Sequence, residues 1–93
     1  MTNTKQYQYT YIATATTTQV AVGQGVLHGI VLGETAAGAI TIYDESGSGT
    51  SVILGVLKAS IAENTYIFDA TFSKGLKIIT AGASKISVMW SQG

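Results

Sequence analysis

The sequence predicts one all-β domain of about eight short antiparallel strands, folded as a jelly-roll-like β-sandwich or as a barrel. Thr, Val, Ile and Tyr dominate the chain, and these residues fit a pleated sheet. Its 11 glycines interrupt the apolar runs at short intervals, which is typical of strands joined by tight turns. Helical periodicity does not extend over any window long enough to predict a helix.

The strands follow from where these runs begin and end. Alternation along the first strand places Tyr7, Tyr9 and Tyr11 on one face. The third run is apolar except for His28, as in a strand covered on both faces. The expected strands are 7–16, 19–22, 26–32, 39–44, 51–58, 65–72, 76–80 and 84–90.

The segments between the strands are expected to be loops and turns. Segment 33–38 is predicted as a loop, and the Gly/Ser-rich segment 45–50 as an exposed, flexible one. Segment 59–64 fits either a turn or a single helical turn. Gly75 is expected to supply a positive φ before the seventh strand. Trp90 shares a face with apolar residues of the last strand and is expected in the core.

Length and composition predict a single domain over 1–93 that depends on neighbours for stability. A chain of 93 residues buries only a modest core, and it has no cysteine and one histidine for disulfides or zinc. Only 11% of its residues are charged, against about 25% usually. We therefore expect part of the surface to be covered by other subunits. The polar residues 1–6 are expected to be either disordered or an arm that orders on a neighbour.

Charge and hydropathy exclude several classes of partner. The net charge is zero and no basic run is present, which argues against nucleic-acid binding. The N-terminus lacks the apolar run of an export signal, and no stretch approaches the ~20 apolar residues of a membrane helix. The chain is expected to be made in a cytoplasm and to have no membrane partner.

The residues that could take part in catalysis or metal binding are expected to have structural roles. His28 is the only histidine, and the serines of the SGSG segment do not form the GxSxG motif of a nucleophile elbow. We therefore interpret His28 as a hydrogen-bonded structural residue. Asp44 and Glu45 adjoin the Gly/Ser loop, but adjacent strand residues point in opposite directions, which favours a turn cap at Asp44 over a metal site. Asp69 is expected to be an inward-pointing charge on an edge strand or to pair with a lysine. No catalytic residue, cofactor or metal is predicted.

The tyrosine stripe is the candidate site. Tyr7, Tyr9 and Tyr11 could pack in the core, form a subunit contact, or stack on sugars or bases. Packing is the favoured interpretation, with core and subunit contact left open.

Four patterns in sequence order support a resemblance to a known group of proteins. They are an apolar strand ending in glycine, LHGIVLG; ITIYD, Ile40 to Asp44; Y-x-F-D, Tyr66 to Asp69; and F-S-x-G-L, Phe72 to Leu76. Together they resemble a recurring pattern among small structural proteins of tailed bacteriophages. The resemblance implies a β-sandwich that decorates the capsid or belongs to the neck or tail, and it carries over no functional residues.

These observations lead to a virion structural protein, most simply a capsid decoration or cement protein that binds the outer shell and stabilises it. The expected partners are further copies of itself, preferably as a homotrimer, and the major capsid protein or other virion proteins. The expected location is the virion, after synthesis in the bacterial cytoplasm. The alternative is a carbohydrate- or receptor-binding β-module of a phage fibre, neck or tail.

Overall fold

The computed structural model describes residues 7–93, and the expected arm at 1–6 lies outside them. The described residues form eight strands, and they include no helix long and apolar enough to cross a membrane. The all-β prediction is confirmed. The strands are β1 (Gln8–Ile12), β2 (Thr16–Val22), β3 (Gly25–Glu34), β4 (Ile40–Tyr43), β5 (Ile53–Leu57), β6 (Thr65–Phe72), β7 (Gly75–Thr80) and β8 (Lys85–Gln92).

The strands form two antiparallel sheets of four. Sheet I has the order β1-β8-β3-β6, and sheet II has the order β2-β7-β4-β5. This is the strand order of a jelly roll, in which consecutive strands alternate between two facing sheets except at the β4–β5 hairpin, which lies within sheet II. Each sheet keeps two edge strands, β1 and β6 in sheet I and β2 and β5 in sheet II. The structure is therefore the predicted sandwich and not the alternative barrel.

The core lies between the sheets and is formed by alternate side chains along each strand. Each fully buried aliphatic or aromatic side chain contributes about 1.5–3 kcal/mol. Trp90, which was expected in the core, packs half-buried at its margin, where its indole N–H donates to the Thr10 hydroxyl at 3.2 Å. The buried apolar residues are Ile12, Ala21, Leu27, Ile30, Leu32, Ile40, Ile42, Leu57, Phe72, Leu76, Ile78, Ile86 and Val88.

The expected first strand is interrupted, because the chain crosses from sheet I to sheet II within it. β1 ends at Ile12 and β2 begins at Thr16. The buried Thr80 hydroxyl holds the crossing in place: it donates to the Thr14 carbonyl at 2.6 Å and accepts the Thr16 N–H at 3.0 Å. The sequence places an unbroken run of β-formers here, and the break depends on a residue 64 positions away.

The Gly/Ser-rich segment 45–50 is more firmly attached than the sequence predicts. Glu45 is buried, and its carboxylate accepts the Val52 N–H at 2.9 Å. The equally buried Lys77 ammonium donates to the Gly47 carbonyl at 2.9 Å. The segment is therefore a loop with exposed residues, as expected, but its backbone is anchored on the outer face of sheet II.

The β6–β7 turn is capped by Asp44, as expected from the sequence. Its carboxylate accepts the N–H groups of Ser73 and Lys74 at 2.9 and 2.8 Å, and that of Gly75 at 3.4 Å. The expectation of a positive φ at Gly75 is wrong. Glycine is needed there because a Cβ would lie 2.8 Å from the carbonyl oxygen of Ala21. Segment 59–64 is a turn.

Candidate functional site

The outer face of sheet I carries the predicted site residues, and we call it the tyrosine face. Two rows of outward side chains cross all four of its strands in register. The first row is Tyr9, Met89, Gly29 and Ile67, from β1, β8, β3 and β6. The second row is Tyr11, Ser87, Val31 and Thr65. Neither row contains a charged residue.

Large apolar side chains in the first row are open to solvent. Tyr9 is 74% exposed and Ile67 is 56% exposed, although both belong to a folded sheet. Gly29 allows the Ile67 side chain to lie flat across the sheet, because a Cβ at Gly29 would be 3.1 Å from the Ile67 Cδ1 atom and 2.8 Å from the Tyr66 carbonyl. Aromatic residues and methionine with few charges are the composition of an interface core.

One end of the tyrosine face is organised by His28. Its Nδ1 atom lies 2.6 Å from the Asp69 Oδ1, and the Tyr7 ring stacks on the imidazole with centroids 4.3 Å apart and planes 11° from parallel. His28 is half-buried and hydrogen-bonded, as expected of a structural histidine, but it lies on the outer face. The stack fixes Tyr7 against the face, so that it is only 38% exposed.

A bulge in β6 positions Asp69 for this contact. Leu27 pairs with Ala70 and Gly29 pairs with Ile67, so two residues of β6 oppose His28 alone. Asp69 has φ +46°, a left-handed conformation that Asp adopts more readily than most residues. Asp69 points outward on the edge strand, on the same face as Ile67 and Thr71. The expectation of an inward-pointing charge or a lysine partner is therefore wrong.

The three predicted site residues are brought together, and the structure narrows their roles. Tyr7, Tyr9 and Tyr11 are 38%, 74% and 57% exposed, which removes the internal core as an explanation. Subunit contact and ligand stacking remain. Met89 and Ile67 also belong to the site; both alternate with core residues along their strands, which is the sequence signal that assigns them to the outer face.

A second apolar surface lies on sheet II, and we call it the aliphatic patch. It consists of Val52, Ile53 and Val56, on and beside the edge strand β5, with exposed fractions of 40%, 54% and 54%. Val56 begins a row across sheet II that continues through Thr41, Ile79 and Thr17, again without a charge. The nearby Lys77 ammonium is covered by loop carbonyl groups. The aliphatic patch and the tyrosine face therefore lie on opposite outer faces of the sandwich.

The candidate site for a small molecule is a shallow cleft rather than a deep pocket. A shallow cleft of about 370 Å³ lies beside Tyr7 and is lined by Gln8, Ser91 and Gln92, and the Gln92 amide donates to the Gln24 carbonyl at 2.8 Å. Between residues 7 and 93, no three His, Cys, Asp or Glu side chains come together in a group that could hold a metal ion.

Comparison with known proteins identifies the fold. No protein-family model matches the chain, and no curated protein matches it. Among solved structures, it is similar to the core of Drosophila NLP, which was described as giving insight into pentamer formation and histone binding. The TM-score is 0.60 over 94% of this chain and 97% of the other, at 17% sequence identity. This likeness shows a shared all-β sandwich fold.

Proposed function

We propose that this chain is a structural subunit that assembles with copies of itself through its tyrosine face, and that it serves on a virion as a capsid decoration or cement protein. The role involves binding and no catalytic step. The observation that carries the proposal is a sheet face that is crossed by two uncharged rows and carries exposed tyrosines in the single chain.

The tyrosine face is large enough to account for much of an interface. From their exposed fractions, the three tyrosines and Ile67 present roughly 500 Å² of side chain. A standard interface buries about 800 Å² per partner, so these four side chains supply roughly half or more of one partner's share.

The virion setting is supported by the phage resemblance and by the fold. Jelly rolls occur in viral capsid domains and in lectin domains, so the fold is consistent with a capsid role and with the carbohydrate-binding alternative. Self-assembly is also supported by the pentamer formation described for the NLP core, which has a similar fold. The resemblance to phage decoration proteins favours three subunits and the NLP comparison favours five, so the number of subunits is part of the test.

Histone binding is not carried over from the structural neighbour. A basic partner would be held by acidic side chains, and this chain has five, balanced by five basic residues. Asp44 and Glu45 bind backbone N–H groups of the chain itself, and Asp69 contacts His28. The proposed partners are therefore apolar surfaces.

The test is the solution mass by light scattering at two concentrations, with matched variants. We expect the wild type to be an oligomer whose mass is two or more times its 9.7 kDa chain mass. Tyr9→Thr and Ile67→Thr are each expected to reduce the mass of the oligomer. Val22→Thr is the control, because Val22 is 67% exposed but lies on edge strand β2 of the other sheet. A wild type that is monomeric at both concentrations contradicts the assembly proposal.

The virion setting needs its own test. Mass spectrometry of purified phage particles from the source culture should detect this chain at a fixed ratio to the major capsid protein. Abundant chain in the lysate but none in the particles would contradict a decoration role, while leaving self-assembly intact.

The exposure of Tyr9 and Tyr11 also supports a second candidate, a carbohydrate-binding module. Two aromatic rings open to solvent on a flat sheet are suited to stacking on sugar rings. If the wild type is monomeric, a titration with oligosaccharides followed by tyrosine and tryptophan fluorescence should show saturation that Tyr9→Thr abolishes.

A further inference from the structure

We infer that the contact between His28 and Asp69 makes self-assembly through the tyrosine face depend on pH, with association strengthening as the pH falls from about 7.5 to about 5.5. This inference rests on the proposed function and names a regulation of the same face. The observation behind it is an imidazole and a carboxylate that meet beside the uncharged rows.

Asp69 places a charge next to the first row of the tyrosine face. It follows Ile67 on β6 with the same outward orientation, and 58% of its side chain is exposed. A copy that covers Ile67 therefore also displaces water from the Asp69 carboxylate. Removing water from a charge weakens association unless the charge has a partner of opposite sign.

The protonation of His28 decides whether Asp69 has such a partner. The ionised carboxylate can only accept, so the neutral imidazole donates to it through Nδ1, and the pair keeps the negative charge of Asp69. The protonated imidazole forms an ion pair with the carboxylate across the 2.6 Å contact, and the pair then carries no net charge. Histidine is the side chain that ordinarily changes its charge between about pH 5 and pH 8.

Protonation also strengthens the packing of Tyr7 on the face. The Tyr7 ring stacks on the His28 imidazole with centroids 4.3 Å apart. A cation within about 6 Å of an aromatic ring is attracted to the ring. The imidazolium therefore holds Tyr7 more firmly than the neutral imidazole does. A side chain that is already ordered costs less to bury in an interface.

The surroundings of His28 contain no second charge that would mask this effect, among the residues that the structure describes on sheet I. The titratable groups that face His28 are Asp69 from β6 and Tyr7 from the segment before β1. On the other side of β3, residues 89–92 of β8 are Met, Trp, Ser and Gln. Residues 25–33 of β3 contain no charged residue apart from His28 when it is protonated.

The direction of the effect follows from proton linkage. The assembled state favours the pair without net charge, so assembly takes up protons, and association that takes up protons strengthens as the pH falls. One proton taken up per contact increases the association constant at most about tenfold per pH unit, or about 100-fold over two units.

Sedimentation equilibrium at pH 5.5, 6.5 and 7.5, at constant ionic strength, measures the association constant. For the wild type we expect an increase of about 5- to 100-fold from pH 7.5 to pH 5.5. His28→Asn keeps an uncharged donor near the Nδ1 position, and its association constant should change less than about twofold. Asp69→Asn leaves the imidazolium without a carboxylate, so its association should weaken as the pH falls.

Glu34→Gln is the matched control for the loss of a carboxylate. Glu34 ends β3 and pairs with Lys85 at 3.4 Å, and 59% of its side chain is exposed, against 58% for Asp69. Its substitution changes the net charge of the chain as much as Asp69→Asn does but should keep the wild-type pH dependence. Thermal unfolding at each pH checks that every variant is folded.

The outcomes distinguish this inference from the proposed function. An oligomeric wild type whose association constant is the same at pH 5.5 and pH 7.5 overturns the inference and leaves the proposed function standing. A pH dependence that persists in His28→Asn, or that keeps its wild-type direction in Asp69→Asn, also overturns the inference, because another group is then responsible. A wild type that is monomeric at every pH and concentration overturns both.

Discussion

Asp44 is the residue whose removal should have the clearest effect on stability. Its carboxylate accepts two N–H groups of the β6–β7 turn at close range, those of Ser73 and Lys74, and a third from Gly75 at 3.4 Å. Asp44 lies at the end of β4 in sheet II, so these bonds attach the turn between the two sheets to the strand that precedes the anchored loop. Asp44→Ala leaves all three N–H groups without this acceptor.

The expected loss is about 2 kcal/mol in the free energy of unfolding. A hydrogen bond to a charged group contributes about 1.5–3 kcal/mol, and water reaches the half-exposed turn and replaces part of what is lost. In a domain of this size about 2 kcal/mol corresponds to roughly 8–16 °C in Tm. Glu63→Gln is the matched control: Glu63 accepts one exposed N–H, from Thr35, and its substitution should cost less than about 0.5 kcal/mol.

The pH dependence of stability distinguishes the contribution of the Asp44 charge from that of its side-chain shape. Partial burial raises the pKa of Asp44, but the N–H groups of Ser73, Lys74 and Gly75 and the Lys74 ammonium outweigh it and hold the pKa below 3.8. A pKa lowered by folding means that the carboxylate adds stability above its unfolded value. This contribution is lost as the pH falls through the folded value. The stability difference between the wild type and Asp44→Asn should therefore be constant near neutral pH and shrink below about pH 4.

Urea unfolding of the wild type and of these three variants between pH 2.5 and pH 7, followed by circular dichroism, measures these differences. Stability differences for Asp44→Ala and Glu63→Gln that are equal within error would refute the cap as a stabilising contact. A gap between wild type and Asp44→Asn that stays constant down to pH 2.5 would show that the charge contributes nothing.

Two further predictions concern the loop and the tyrosine face. Lys77→Met keeps most of the side-chain length but removes the donor to the Gly47 carbonyl, so amide exchange in segment 46–50 should accelerate while β7 stays protected. Unchanged exchange would contradict the anchoring role. Gly29→Ala places a Cβ 2.8 Å from the Tyr66 carbonyl and should cost about 1–3 kcal/mol in thermal unfolding. Gly33→Ala, where the nearest atom is 3.7 Å away, is the control, and equal costs at the two positions would contradict the close-packing argument.

The sequence predicts the fold where local alternation decides it. Ile40 and Ile42 alternate with Thr41 and Tyr43, and the structure places the two isoleucines in the core as this pattern requires. The outward position of the tyrosines could not be decided in the same way. Alternation shows that they share a face, but which face is buried depends on the partner sheet.

What the sequence could not predict depends on contacts between distant residues. Thr80 interrupts the first apolar run by bonding to Thr14 and Thr16. Glu45 lies in a stretch whose composition indicates flexibility, yet it is buried because its carboxylate meets backbone N–H groups seven residues later. Lys77 is buried because the same loop folds over it. A Gly/Ser-rich composition indicates a flexible backbone but does not reveal which hydrogen bonds hold that backbone in the folded protein.

The low charge of the chain has a structural explanation that supports assembly. Among the described residues, several charged groups are engaged within the subunit. Asp44 and Glu45 bind backbone N–H groups, and Lys77 binds loop carbonyl groups. A monomer whose surface was merely rich in Thr and Ser would have no reason to leave its aromatic and aliphatic side chains together. Here several of the charges are engaged in contacts within the subunit, and uncharged rows cross both sheets from edge to edge. This distribution is the one expected when both outer faces are made to contact protein.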